Sequence, residues 1–174
     1  MSTIISHTAI PIALSAVFPS GKISLGLLLL GAICSMAPDL DVIGFSFGIR
    51  YGDMLGHRGF SHSIYFATFL SALLAALWPH GESGQLLIFL FLFLSTLSHP
   101  FLDAFTNGGL GIAWFAPFSN KRYFFPWRPI AVPPIGIRPF FSAWGWRVIK
   151  SEIVWIWLPS ASLFAAGQLA KRLW

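Results

Sequence analysis

Long uncharged, apolar runs separated by polar breaks follow one another along the chain. They extend from Ser2 to Ser20, Ser61 to His80, Ser83 to Leu102 and Ile153 to Ala170, with a fifth run of 16 residues between Lys22 and Asp39. Crossing a hydrocarbon core of about 30 Å takes about 20 apolar residues in a helix. Ser61–Trp78, Gly84–Leu102 and Ile153–Ala170 are predicted to span, and the first two runs predict a helical hairpin that is thin or partly re-entrant. The expectation is all-α: one membrane-embedded domain over residues 1–174, a polytopic helix bundle of about five spans.

The breaks differ in character. "PHGESG" is a short turn of glycine, proline and polar residues. The segment Thr106–Lys150 is far longer and holds six prolines, with three tryptophans past Trp114. Its aromatic and arginine content predicts an interfacial loop in the headgroup zone, with Trp and Tyr at the boundary and Arg reaching phosphate. No internal repeat is present.

Composition strengthens this picture. Apolar residues make up 56% of the chain and charged residues 10%, against about 45–50% and about 25% in soluble domains. No Lys or Arg precedes Lys22, so the first run lacks the basic opening of a cleaved signal and is expected to stay in the mature chain. The single cysteine, Cys34, excludes a disulfide framework and a thiolate metal site. A net charge of +5 would suit nucleic acid, but the basic residues are dispersed beside membrane runs, where anionic headgroups are the nearer counter-charge. No nucleic-acid partner is expected.

Strict alternation of five spans sorts the polar groups by side. His7 opens the first span; Asp39 and Asp41 end the second; His57 and His62 open the third; His99 and Asp103 end the fourth. All seven fall on one side, side A, whereas His80 and Glu82 lie in the opposite turn, where His80 reads as an ordinary interface residue. Ionisable groups inside or abutting apolar helices cost about 2.5–3.5 kcal/mol at the bilayer centre, so they are functional by default.

His99 and Asp103 are four apart, which on a helix puts both side chains on one face, about 5–6 Å apart at Cβ. One cation bridges groups at that reach. In "PDLD" two carboxylates two apart point to one side if the stretch after Pro38 is extended. His57 and His62 face one site only if His57 lies in a loop, which Gly56 and Gly59 permit, with Ser61 as the N-cap of the following helix. The ligands are imidazole and carboxylate, so zinc is favoured, with manganese or iron as alternatives. Seven candidates exceed the set for one tetrahedral ion, so one or two ions are expected, or one ion with outer carboxylates. Asp41, His62 and Asp103 are the candidates for catalysis beside the ion, Asp41 by orienting a water. Such an ion lowers the pKa of a bound water to about 7. In "APFSNKRYFFPWRPI", Lys121, Arg122 and Arg128 are candidate contacts for a substrate phosphate.

Taken together, "PDLD", "HRGFSHS", "HPFLDAFTNGG" and "FAPFSNKRYFFPWRPI" resemble the bacterial inner-membrane family of YdjM type, described as LexA-regulated, metal-dependent hydrolases. The likeness runs from His7 to about Pro134, roughly three quarters of the chain. It implies a multi-pass α-helical membrane protein that binds metal through His7, Asp39, Asp41, His57, His62, His99 and Asp103. The pattern is similar, more distantly, to zinc-dependent phospholipases C and single-strand nucleases. From those it departs in lacking an N-terminal tryptophan and the glutamate ligand.

The functional expectation is a membrane-bound metal-dependent hydrolase acting on a phosphoester of a phospholipid or lipid-linked phosphate. The alternatives are a lipid ester or amide hydrolase, and a metal or proton transporter using the same His and Asp residues. Transport needs polar groups across the full depth, and side B offers almost none. Side A carries Arg50, Arg58, Lys121, Arg122, Arg128, Arg138, Arg147 and Lys150, against Lys22, Lys171 and Arg172 on side B. The positive-inside rule then makes side A cytoplasmic in a plasma-membrane protein.

Overall fold

The computed structural model describes residues 2–79, 83–133 and 140–173. Two of the expectations above, those on His80 with Glu82 and on Arg138, lie outside them. Among the described residues the regular elements are helices, joined by turns and irregular loops with two isolated bridges. We label the helices α1 (Ala9–Val17), α2 (Leu25–Met36), α3 (Ile64–Leu77), α4 (Gln85–Ala104) and α5 (Ala143–Leu173). Caps define their starts: Ser24 accepts from the Leu27 amide at 3.2 Å and Ser63 from the Phe66 amide at 3.0 Å. The cap of α3 is thus Ser63 and not Ser61, because a 3-10 turn over Phe60–His62 intervenes.

Among the described residues, three stretches are long and apolar enough to cross a membrane: Leu25–Phe47, Gln85–Ala104 and Ala143–Leu173. Two expectations shift. The second run continues past Met36 as a 3-10 helix to Phe47 and becomes long enough to span. The Ser61–Trp78 run forms only the 14 residues of α3, about 21 Å at 1.5 Å per residue, which falls short of the hydrocarbon thickness. Helix α5 starts at Ala143, ten residues ahead of its apolar run, so the connecting loop ends sooner than Lys150.

Helix α4 is central, touching α1, α2 and α3, while α5 packs mainly along α1. Leu27, Cys34, Ala75, Ile88, Phe91 and Leu92 form the core among α2, α3 and α4. Within this apolar interior Ser95 and Thr96 bond back to the Phe91 and Leu92 carbonyls, which satisfies these two hydroxyls within their own helix. Gly167 sets the approach of α5 to α1: a Cβ there would lie 2.7 Å from the Ala16 carbonyl oxygen. Small residues let membrane helices come this close. Much of α5 faces outward through Ile153, Val154, Trp155, Leu158, Leu163 and Leu169, as a lipid-facing surface should.

Helix ends alternate as expected. Lys171 near the end of α5 donates to the Ser15 carbonyl near the end of α1, and Ser83 before α4 donates to the Lys22 carbonyl before α2. These contacts mark side B. The ends of α2 and α4 and the starts of α1, α3 and α5 gather at the other side. There the long loop is tied to the helices and does not merely lie on lipid. The Asn107 amide bonds the Ile130 carbonyl, the Phe125 amide the Ala104 carbonyl, and the Ala113 amide the Arg58 carbonyl. Ile112, Ala113, Ala116 and Ile130 are buried by this folding back.

Candidate metal centre

The seven His and Asp residues meet at side A, in two layers that share His62. The inner layer holds Asp39, His62, His99 and Asp103, all buried, each with a ligand atom within 4.8 Å of the others. The His99 Nε2 lies 3.3 Å from Asp39 Oδ1, and His62 Nε2 lies 3.7 Å from the same oxygen and 3.9 Å from Asp103 Oδ2. Ligands held at about 2.0–2.1 Å in a tetrahedron sit about 3.3 Å apart, so a small relaxation would fit one ion. Asp39 Oδ1, His62 Nε2 and His99 Nε2 make no hydrogen bond among the described residues. Buried polar atoms rarely go without partners. Three that point at one spot are what a cation site looks like.

The opposite edge of each imidazole is fixed. His99 Nδ1 donates to the Ser35 carbonyl at 2.7 Å, and His62 Nδ1 lies 3.1 Å from Asp41 Oδ2. A proton held at Nδ1 leaves Nε2 with its lone pair aimed inward, the usual arrangement of metal-bound histidine. Asp41 also accepts from His57 Nδ1 at 2.7 Å, from Ser61 Oγ at 2.6 Å and from the Arg58 amide at 3.1 Å. Asp39 and Asp41 thus grip His62 from opposite edges. The expectation that both point to one side fails, because residues 37–47 form a 3-10 helix and not an extended strand. With three residues per turn, side chains two apart diverge. Asp41, His57 and His62 form a second group of ligand spacing, but two of its imidazole edges already bond Asp41.

His7, a candidate ligand by sequence, lies beside the inner layer and outside both groups of ligand spacing. Its ring stacks on His99 with centroids 3.6 Å apart, its Nε2 is 2.9 Å from Ser2 Oγ and 3.7 Å from Asp103 Oδ1. Asp103 accepts from the Ser2 amide and from Arg58 Nε, each at 3.0 Å.

Arg58, a loop charge by sequence, is fully buried. Its fork serves three acceptors: Asp103, the Gly108 carbonyl at 2.7 Å and Thr106 Oγ1 at 2.9 Å. It adopts a φ of +63°, a strained region for a non-glycine residue. Such strain persists only where surrounding bonds enforce it, and clusters at functional sites. The flanking glycines allow the tight loop, since a Cβ on Gly59 would lie 2.2 Å from the Met54 carbonyl oxygen. The signal was present in "HRGFSH": an arginine inside a glycine-punctuated run with two histidines has little reach to solvent.

Charge also suits a cation here. Asp39, Asp41 and Asp103 bring three buried or nearly buried carboxylates together, and neither oxygen of Asp39 makes a hydrogen bond among the described residues. Buried charge needs a partner. A divalent ion would supply one at Asp39.

Of the candidate phosphate contacts, Arg122 donates to the carbonyls of His57 at 2.9 Å, Asp53 at 3.0 Å and Tyr51 at 3.3 Å, pinning the His57 loop. Burial lowers its pKa, although a guanidinium keeps its proton. Lys121 and Arg128 are exposed. Arg128 lies over the Phe124 ring at 4.7 Å, and Arg58 over the same ring at 5.9 Å, so one ring separates Arg128 from the Asp103 partner.

Replacing Asp41 by asparagine is expected to weaken metal binding by about 10–100-fold, the usual effect of losing an outer carboxylate behind a histidine. Competition with a chromophoric chelator measures it. An unchanged affinity would show that Asp41 does not orient His62.

Comparison with known proteins agrees with this architecture. No solved structure matches the chain. The inner membrane protein YbcI of Escherichia coli K12 is 40% identical over 164 residues, covering 94% of this chain and 95% of that protein. The model of the YdjM inner membrane protein family matches residues 1–174. A polytopic helical chain whose side A ends carry a buried His and Asp cluster is thus a member of the YdjM inner membrane protein family.

Proposed function

We propose that the protein is a membrane-bound, metal-dependent hydrolase that cleaves a phosphoester of a phospholipid or lipid-linked phosphate. The observation that carries this reading is the convergence of His62 Nε2, His99 Nε2 and Asp39 Oδ1, all buried and without hydrogen bonds, beside Asp103. A divalent ion, zinc by the donor set, would supply Lewis acidity and a water of lowered pKa.

The chain's own residues do the rest. His62 and His99 present lone pairs because Asp41 and the Ser35 carbonyl hold their outer edges. Asp103, neutralised in part by Arg58, faces His62 and is placed to hold a water or to take its proton. Lys121 and Arg128 remain solvent-facing cations for a phosphate, with Arg128 the nearer through Phe124. The site lies at the helix ends beside an aromatic loop, where a lipid headgroup resides. Six of the eight side A cations remain once Arg58 and Arg122 are set aside as internal ties, against three on side B, which supports a cytoplasmic face for the site.

The test is turnover of a defined phospholipid panel in mixed micelles, followed by mass spectrometry. Wild-type protein is expected to form a lysed headgroup or phosphate product that a chelator abolishes and added zinc, manganese or iron restores. Metal-loaded protein that forms no product from any lipid phosphoester overturns the reading in favour of binding or transport.

A further inference from the structure

Glu152 is a buried carboxylate that lies outside the seven-residue cluster and outside the mechanism above. It sits on α5, and it accepts from the Thr3 amide, from Thr3 Oγ1 at 2.6 Å and from Ser6 Oγ at 2.8 Å. Trp157 of the same helix also reaches Ser6, donating Nε1 to its Oγ at 2.9 Å. On a regular helix residues five apart diverge by about 140°. Here both converge on one hydroxyl, and the stretch between them, Ile153–Trp157, is π-helical. An i to i+5 repeat brings such residues to one side, and π-turns inside α-helices recur at functional sites.

The segment gripped by Glu152 is the one that closes the metal centre. Ser2 lies one residue before Thr3 and donates its amide to Asp103, while its hydroxyl meets His7 Nε2. His7 follows Ser6 and stacks on His99. Through Glu152 and Trp157, α5 is thus bonded to this wall of the centre.

We propose that Glu152 is a positioning residue, which clamps residues 2–7 as the wall of the metal centre and thereby limits escape of the ion. The inference rests on the metal-centre reading above. Burying a carboxylate costs free energy unless it is fully bonded, and among the described residues the hydrogen bonds of Glu152 come from the wall, so the two are ordered together.

The test compares wild type with Glu152→Ala, Glu152→Gln and Ser6→Ala, each purified as the full chain in detergent. Two readouts are taken: release of bound zinc to a chelator, and amide hydrogen exchange of the peptide covering residues 2–8. Glu152→Ala and Ser6→Ala are expected to speed zinc release by about 10–100-fold, as loss of outer support does, and to raise exchange in that peptide. Glu152→Gln keeps a carbonyl acceptor for the Thr3 amide and is expected to stay near wild type. Unchanged exchange, or faster exchange with unchanged zinc release, overturns the proposal. If Glu152→Ala does not fold, unchanged zinc release in Ser6→Ala overturns it. Wild type that retains no metal instead overturns the metal-centre reading itself, and the inference with it, a failure read from the wild-type sample alone.

Discussion

Wild type is expected to purify with a bound divalent ion and His99→Ala protein without it, a difference that elemental analysis of the two reads directly. His99 contributes Nε2, one of the orphaned atoms that converge with Asp39 Oδ1 and His62 Nε2, and it lies 3.3 Å from that Asp39 oxygen. Removing a ligand should cost well beyond the ~10–100-fold typical of losing an outer partner. The change also leaves the His7 ring without its stacking partner and the Ser35 carbonyl without its donor. Metal-free wild type is the control for those losses: it keeps the bonds and lacks the ion. If His99→Ala keeps a full equivalent of metal, the ion does not sit between His62, His99 and Asp39.

Arg58→Met is expected to lower stability by about 3–5 kcal/mol, because it takes a fully buried guanidinium away from the Asp103 carboxylate. Both side chains of the pair are fully buried, so solvent cannot take over. Lysine should not substitute: one ammonium on a flexible stem does not reach Asp103, Gly108 and Thr106 together as the planar fork does. Removing both partners, as Arg58→Met with Asp103→Leu, should recover most of the stability, since an apolar pair of similar volume often replaces a buried ion pair at little cost. That double variant should still lose metal affinity. Thermal unfolding of metal-free protein in detergent separates these outcomes, and a full-cost double variant would place the cost in the lost bonds to Gly108 and Thr106 and not in the charge pair.

Much of the architecture was readable from apolar run lengths. The five helices, their alternation and the gathering of His and Asp at side A follow from where the uncharged runs begin and end. Bounds were less readable. The Ser61 run looked long enough to span because "FSHS" is uncharged, yet its first residues are used in a 3-10 turn that aims His62. The second run looked too short because Asp39 and Asp41 end it, yet helical structure continues through both carboxylates, which face the protein and not lipid.

The sequence by itself determined the membrane class, the side on which the polar groups meet and the family resemblance, all properties of local pattern and order. Tertiary structure alone decided the division of labour among them. Which imidazole edge faces inward depends on Asp41 and on the Ser35 carbonyl, and Ser35 lies 64 residues away from His99. Arg58 became a buried partner of Asp103, and Glu152 a clamp on the N-terminal segment 146 residues away at Ser6, through contacts that no sequence spacing encodes. The physical reason is that a charge in a membrane chain reads the same in sequence whether lipid headgroups or a buried carboxylate balance it. Only the packing of α4, α5 and the returning loop shows which partner was within reach.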